Sequence, residues 1–218
     1  MENTIALEDW VKVIESEYLG DYVKSGGAAV KFLIAPDSAS INMVKQTVMD
    51  AGTRQNYACS FVDSSRTKVH LIDQVFMEVA RQINWDDLAY RFLVRLLDGH
   101  YYYPQDQAQM SLANLAKLNS AEEPEIHKEI RNLLKVELLR DFHMSREFRY
   151  AMSALLAYAL DPRSADAGID EIVTNWLKGE QAQLRPLKDI NIFQKVNRSN
   201  ARYLIHSLSH WLHRAGHS

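Results

Sequence analysis

Cysteine is almost absent from this chain of 218 residues, and the single Cys59 has no second cysteine with which to form an intrachain disulfide. A lone thiol in the apolar run "YACSFV" fits a reducing compartment. No apolar stretch approaches the roughly 20 residues of a membrane span, and the N-terminal "MENTIALEDW" lacks the basic region of a signal peptide. We therefore expect a cytoplasmic protein without membrane contact.

The sequence also lacks the motifs of common catalytic sites. It contains no Ser/His/Asp order, paired-carboxylate motif or Cys/His pattern that supports hydrolytic or redox chemistry. Its composition is that of an ordinary globular protein, with 47% hydrophobic and 24% charged residues. We expect no catalytic residue, no cofactor and no metal.

An overall excess of positive charge is missing too, since the formal net charge is −3. The exception is the basic tail, residues 181–218, which holds six Lys or Arg residues against one Asp. Such a segment suits binding to nucleic acid or to an acidic partner. The candidate contact residues are Arg185, Lys195, Arg198 and Arg202.

Two short apolar runs predict β-strands near the N-terminus. "AAVKFLIA", residues 28–35, and "YACSFVD", residues 57–63, flank a helical pattern that begins at Asp37 or Ser38 and ends near Gly52. Strand, helix and strand at this spacing predict a parallel βαβ unit. The rest of the chain has helical periodicity, so the predicted fold class is α/β with a partial P-loop NTPase-like core and a large helical region.

The turn after the first predicted strand has the outline of a phosphate-binding loop without its chemistry. The sequence has a glycine pair at residues 26–27, followed by a predicted strand, a turn and a predicted helix. The residues that hold phosphate in such a loop are replaced by others. The vestigial nucleotide-binding positions are Ala35, Ser38, Ser40, Ile41 and Asn42. Ile41 replaces the lysine that would neutralise phosphate charge, so only weak anion binding at the helix N-terminus is expected.

Four further sequence blocks stand out along the chain: "GGAAVKFLIA", "VDSSRTKVHLIDQVFMEVARQINWD", "WLKGE" and "NARYLIHSLSHWLHRAGHS". In this order they resemble the P-loop, AAA+-like ATP-binding proteins of BREX-type phage-defence systems. The resemblance implies an ATPase core in which the phosphate loop is degenerate. It also implies a further strand with an acidic motif after Ser218, so we expect either a fragment or a short paralogue whose sheet a partner completes.

Together these features predict a non-hydrolysing scaffold or regulatory component of an anti-phage defence complex. Its partners would be other subunits of that complex or further copies of itself. One alternative is an ATP-binding switch that is active only with a partner chain, and another is a DNA-binding accessory protein. The predicted domains are a core at 1–100, a helix-turn-helix-like module at 101–160, and a helical segment at 161–218 that returns to the core.

Three smaller patterns complete the candidates. Residues 111–142 have the rhythm of a helix-turn-helix, but acidic and basic residues alternate on the second helix, which favours packing or protein binding over base recognition. Asp63, Arg66 and His70 follow the second predicted strand, where they form either a ligand site or an ordinary helix cap. His206, His210, His213 and His217 share one face of the last helix, a predicted solvated or interface face.

Overall fold

The computed structural model describes residues 5–28, 32–34, 37–161, 168–181 and 183–217. Its regular elements are helices of α, 3₁₀ and π type. The α-helices are α1 Leu7–Val13, α2 Ser38–Arg54, α3 Ile72–Gln82, α4 Trp85–Leu97, α5 Leu112–Leu118, α6 Glu123–Leu134, α7 Arg146–Leu160, α8 Ile169–Leu177, α9 Arg185–Asp189 and α10 Ala201–Arg214. A π-helical stretch, Ile14–Val23, continues α1, another, Lys135–Leu139, continues α6, and Gln107–Gln109 forms a 3₁₀ turn.

The α/β prediction is wrong, and with it the P-loop NTPase-like and AAA+-like architecture. No residue in the described part of the chain belongs to a strand, so the fold there is all-α. Of the first predicted strand, residues 29–31 and 35 lie outside the described residues, and Phe32–Ile34 forms no regular element and makes no hydrogen bond within the described chain. The second predicted strand, residues 57–63, forms no regular element either. An apolar run favours an extended backbone, but a strand also requires a ladder with a second strand, and no such ladder forms in the described structure.

The prediction of a helix between the two runs is confirmed. Asp37 has an extended backbone, and its carboxylate accepts a hydrogen bond of 2.7 Å from the N–H of Ser40, which is the geometry of an N-cap. Helix α2 runs two residues beyond Gly52, the predicted end. The local sequence therefore determines where this helix begins.

The described chain divides into two compact units, an N-terminal unit that ends at Phe61 and also includes His217, and a larger unit, Val62–Gly216. In the N-terminal unit, α1 and its π-helical continuation contact α2. Arg54 donates two hydrogen bonds to the Glu15 carboxylate, at 2.9 and 2.8 Å, and the Tyr57 hydroxyl donates one to the carbonyl of Leu19 at 2.7 Å. In the described part of this unit, three apolar side chains are buried: Val11, Ile14 and Ala51.

The larger unit is a helical assembly around one continuous hydrophobic core. Helix α7 packs against α4 and α8, α5 packs against α6, and α10 packs against α3, α4 and α7. At the centre, the Trp211 ring stacks on Phe92 at a centroid distance of 4.0 Å and meets the edge of Phe148 at 6.5 Å. No helix in the described ranges has both the length and the apolar character needed to cross a membrane.

Candidate functional site

The helix N-terminus at the vestigial phosphate loop is already occupied by a carboxylate. Hydrogen bonds from Ser40, first from its backbone N–H, lower the pKa of Asp37 and keep the carboxylate charged. The Asp37 carboxylate accepts the hydrogen bond from the Ser40 N–H that a phosphate would otherwise accept, and its negative charge repels an anion. Asp37 therefore opposes anion binding at this position. Of the remaining predicted positions, Ser38 opens α2, Asn42 is an exposed residue of the same helix, and Ala35 lies outside the described residues.

The glycine pair has a structural role in the described fold. Gly26 has a φ of +90°, which a glycine tolerates and most residues do not. A Cβ atom at Gly27 would lie 2.6 Å from the Tyr22 ring, whose hydroxyl donates to the carbonyl of Ala28. The two glycines therefore allow the chain to turn closely around Tyr22 after the π-helical stretch.

An exposed apolar groove is the main surface feature of the N-terminal unit. It has a volume of about 290 Å³ and, besides Ser60, is lined by six apolar side chains and one lysine: Leu33, Ile41, Val44, Lys45, Val48, Met49 and Phe61. Beside it, the side chains of Phe32 and Ile34 are 93% and 97% exposed. The Nζ atom of Lys45 lies 3.8 Å from the centre of the Phe61 ring. Ile41, which occupies the position of the missing lysine, is thus part of an apolar surface.

The trio Asp63, Arg66 and His70 is only partly brought together. Arg66 Nε lies 3.7 Å from the Asp63 carboxylate in an exposed ion pair. The same carboxylate accepts hydrogen bonds from the N–H and hydroxyl of Ser65, at 2.8 and 2.7 Å, which is a local turn arrangement. His70 is exposed, and its side chain has no partner within the described ranges. Asp63 is also no helix cap, because the helix that follows, α3, has Leu71 at its N-cap position and no side-chain cap hydrogen bond.

The candidate cations of the basic tail all face solvent. Arg185, Lys195, Arg198 and Arg202 are exposed, and none pairs with a carboxylate in the described part of the chain. Lys188 is exposed as well. These positive charges are therefore available to an anionic partner.

The helix-turn-helix rhythm corresponds to α5, a turn, and α6 with its π-helical continuation. Helix α6 buries Ile126 and Ile130 and exposes a mixed face. Acidic and basic residues alternate there: Glu125, Lys128, Glu129, Arg131, Lys135 and Glu137. A DNA phosphate backbone would meet as much negative as positive charge on this face.

The histidine face of α10 contacts the segment that follows α6. His210 Nε2 lies 2.8 Å from the carboxylate of Asp141, which also accepts a 3.0 Å hydrogen bond from Arg214. His206 Nδ1 lies 3.1 Å from the carbonyl oxygen of His143. Part of the face predicted to be solvated or an interface is therefore a packed polar contact within the chain, while His213 remains exposed. Among the described residues, no three His, Cys, Asp or Glu side chains converge as a metal site.

Asp141 is the polar residue that sequence patterns missed. Burial raises the pKa of its carboxyl, but hydrogen bonds from His210, the backbone of His143 and Arg214 outweigh burial, and the net pKa is lowered. Its partner His210 is 69 positions away in the chain, so no local pattern joins them. Only the four-residue and three-residue spacing of the α10 histidines indicated a polar contact face.

Comparison with known proteins adds no relative from which a role can be transferred. No protein-family model, curated protein or solved structure matches this chain.

Proposed function

We propose that this chain is a non-hydrolysing scaffold or regulatory subunit that acts through protein–protein contacts in the cytoplasm. The observation that carries the proposal is the exposed apolar surface formed by Phe32–Ile34 and the groove on α2. Large exposed apolar patches on soluble proteins mark interaction sites. The context of a bacterial anti-phage defence complex rests on the resemblance of the quoted sequence blocks.

The partner that fits this surface is an extended apolar segment of another subunit. The backbone N–H and C=O groups of Phe32, Leu33 and Ile34 make no hydrogen bond within the described chain. An added extended segment would pair with these groups, and its side chains would fill the groove beside Leu33. Such strand addition combines main-chain hydrogen bonds for affinity with side-chain pockets for specificity.

The test is recovery of the native complex with altered forms of this surface. A tagged chain is purified from its native cells, its stable partners are identified, and the purification is repeated with Phe32→Asp and Ile34→Asp. Each charge should reduce partner recovery at least about tenfold, since an unpaired charge in an apolar interface costs more than 1.4 kcal/mol. Tyr102→Asp, at a side chain that is 77% exposed in the larger unit, is the matched control.

Hydrogen exchange then locates the contact. Amide protection that appears at Phe32–Ile34 in the purified complex agrees with strand addition. Full partner recovery with both Asp variants, or protection confined to the larger unit, contradicts the proposed surface.

A second candidate, a DNA-binding accessory role, is favoured by the exposed cations of the basic tail. In this case duplex DNA binds with a strong salt dependence, and Arg198→Ala with Arg202→Ala reduces the slope of log affinity against log salt by about two. Arg66→Ala, an exposed cation outside the tail, should leave the slope unchanged. Equal slopes for all three proteins would exclude this role for the tail.

A further inference from the structure

A cleft in the larger unit brings two arginines and two histidines together with a few apolar side chains. It has a volume of about 460 Å³ and lies where α4, α10 and the end of α6 with its continuation meet. This volume is typical of sites for small organic molecules. Its lining consists of Phe92, Arg95, Leu96, His100, Leu133, Glu137, His213 and Arg214.

One of the two arginines in the cleft is held in place and largely neutralised. Arg214 donates to the Glu137 carboxylate at 2.9 Å and to the nearly buried Asp141 carboxylate at 3.0 Å, and it also donates to the carbonyl of Glu137. Its guanidinium carbon lies 5.3 Å from the centre of the Phe92 ring. Arg214 therefore shapes the wall of the cleft, and Glu137, the one carboxylate in the lining, is already paired with it.

The other arginine, Arg95, has no such partner. Its side chain is exposed, and it makes no hydrogen bond or ion pair within the described ranges. Its Nη1 atom lies beside the backbone of Gly216, where a Cβ atom would be 2.5 Å away. Gly216 also has a φ of +95°. A glycine at this position thus leaves room for the guanidinium at the edge of the cleft.

The imidazoles of His100 and His213 add further hydrogen-bonding groups to the same cleft. A guanidinium with free donors and two imidazoles suit a phosphate group, which accepts several charge-assisted hydrogen bonds. Leu133, which is half-buried, offers apolar surface to the organic part of the same ligand, whereas Phe92 and Leu96 are 2% and 8% exposed and add little to it. We propose that this cleft binds a small phosphate monoester with an apolar or aromatic body, and that Arg95 holds its phosphate.

Calorimetric titration of the full chain tests this site with defined probes. Phenyl phosphate should bind with one-to-one stoichiometry and more tightly than inorganic phosphate, because its ring also contacts Leu133. Phenol, which lacks the phosphate, should bind at least about tenfold more weakly than phenyl phosphate. Absence of phenyl phosphate binding at millimolar concentration would overturn the proposal.

Variants then assign the phosphate contact. Arg95→Ala should weaken phenyl phosphate binding at least about tenfold and leave phenol binding unchanged. Arg91→Ala, one turn earlier on α4 and paired with Asp87 outside the cleft, is the matched control and should bind like the native chain. His100→Ala, at an exposed side chain, provides a second probe of the site if Arg95→Ala unfolds. Equal affinity of native, Arg95→Ala and His100→Ala proteins would overturn the proposal.

A short single-stranded oligonucleotide is the remaining titrant, because nucleic acid carries the same phosphate chemistry. Competition between phenyl phosphate and the oligonucleotide is not expected if the cleft is a small-molecule site. Oligonucleotide binding that depends on Arg95, without phenyl phosphate binding, would contradict the small-molecule assignment.

Discussion

Asp141 shows how a single, nearly buried carboxylate organises a polar contact in this protein. Its side chain is only 9% exposed, yet it accepts hydrogen bonds from two side chains of α10 and from one backbone N–H. A buried carboxylate is tolerated when its charge is paired in this way. The hydrogen bond from Arg214 to Asp141 holds the Arg214 side chain, and with it one wall of the cleft, in position.

Replacement of Asp141 by Asn should lower the free energy of unfolding by about 1–3 kcal/mol at pH 7, because the charged acceptor of Arg214 and His210 is lost. Urea denaturation measures this difference. The pKa of Asp141 is lowered in the fold, so its contribution is complete above the unfolded pKa, about 3.9, and is lost as pH falls through the lower folded pKa. The difference between native and variant proteins should therefore shrink in strong acid. Asp98→Asn, at an exposed side chain, should change stability little.

Tyr101 is a second residue with a clear ionisation signature. Burial, followed by its 2.5 Å hydrogen bond to the Glu129 carboxylate, raises the pKa of Tyr101 to about 12. Ultraviolet titration should show a tyrosine phase near this pH that Tyr101→Phe removes and Tyr102→Phe retains. Glu129→Gln should lower the midpoint only in part, because burial is the larger cause.

The same pKa predicts alkaline sensitivity of the fold. Because the folded pKa of Tyr101 is raised, its stabilising contribution is present below about pH 10, the unfolded value, and is lost as pH rises to about 12. Stability of Tyr101→Phe should vary less than that of the native chain across this range. An unchanged pH profile would contradict the assignment.

At the scale of elements, α10 is the helix that connects the core to the polar contacts. One face buries Leu204, Leu208 and Trp211, and the other carries the histidines and Arg214. The two faces follow directly from the helical spacing of these residues. The apolar face provides most of the packing, since Trp211 contacts aromatic rings of both α4 and α7.

Trp211→Ala should therefore destabilise the larger unit by about 3–5 kcal/mol, through lost burial and the cavity that remains. Urea denaturation followed by circular dichroism measures the change. Tyr203→Ala on the same helix removes a side chain that is 64% exposed and should change stability by less than about 0.5 kcal/mol. Similar losses for both variants would mean that α10 packs differently.

Element-scale prediction from sequence succeeded where the signal was local. The N-cap Asp37 and the apolar spacing of α2 identified a helix, because capping and periodicity act within a few residues. The strand predictions for residues 28–35 and 57–63 failed as a fold assignment. Strand formation depends on a partner that is remote in sequence, and an apolar run does not specify whether that partner exists.

At the scale of the whole molecule, the buried core is distributed unequally. All members of the continuous core fall between Phe76 and Ala215, whereas the N-terminal unit buries three apolar side chains in the described ranges. A separately expressed fragment 62–216 should therefore be helical and unfold cooperatively, with a Tm close to that of the larger unit in the full chain. Fragment 1–61 should show little cooperative unfolding. Circular dichroism melting measures both, and an unfolded 62–216 fragment would contradict this division.

The sequence by itself determined the helical periodicity, the start of α2 at Asp37 or Ser38 and the two-faced character of α10, because these properties depend on residues within one or two turns. It also identified the basic tail, whose candidate cations the structure places at the surface. The tertiary structure decided that the described chain has no sheet, and it joined Asp141 to α10 and placed Arg95 at the edge of a cleft. These outcomes depend on contacts between residues tens of positions apart, for which linear spacing contains no direct signal.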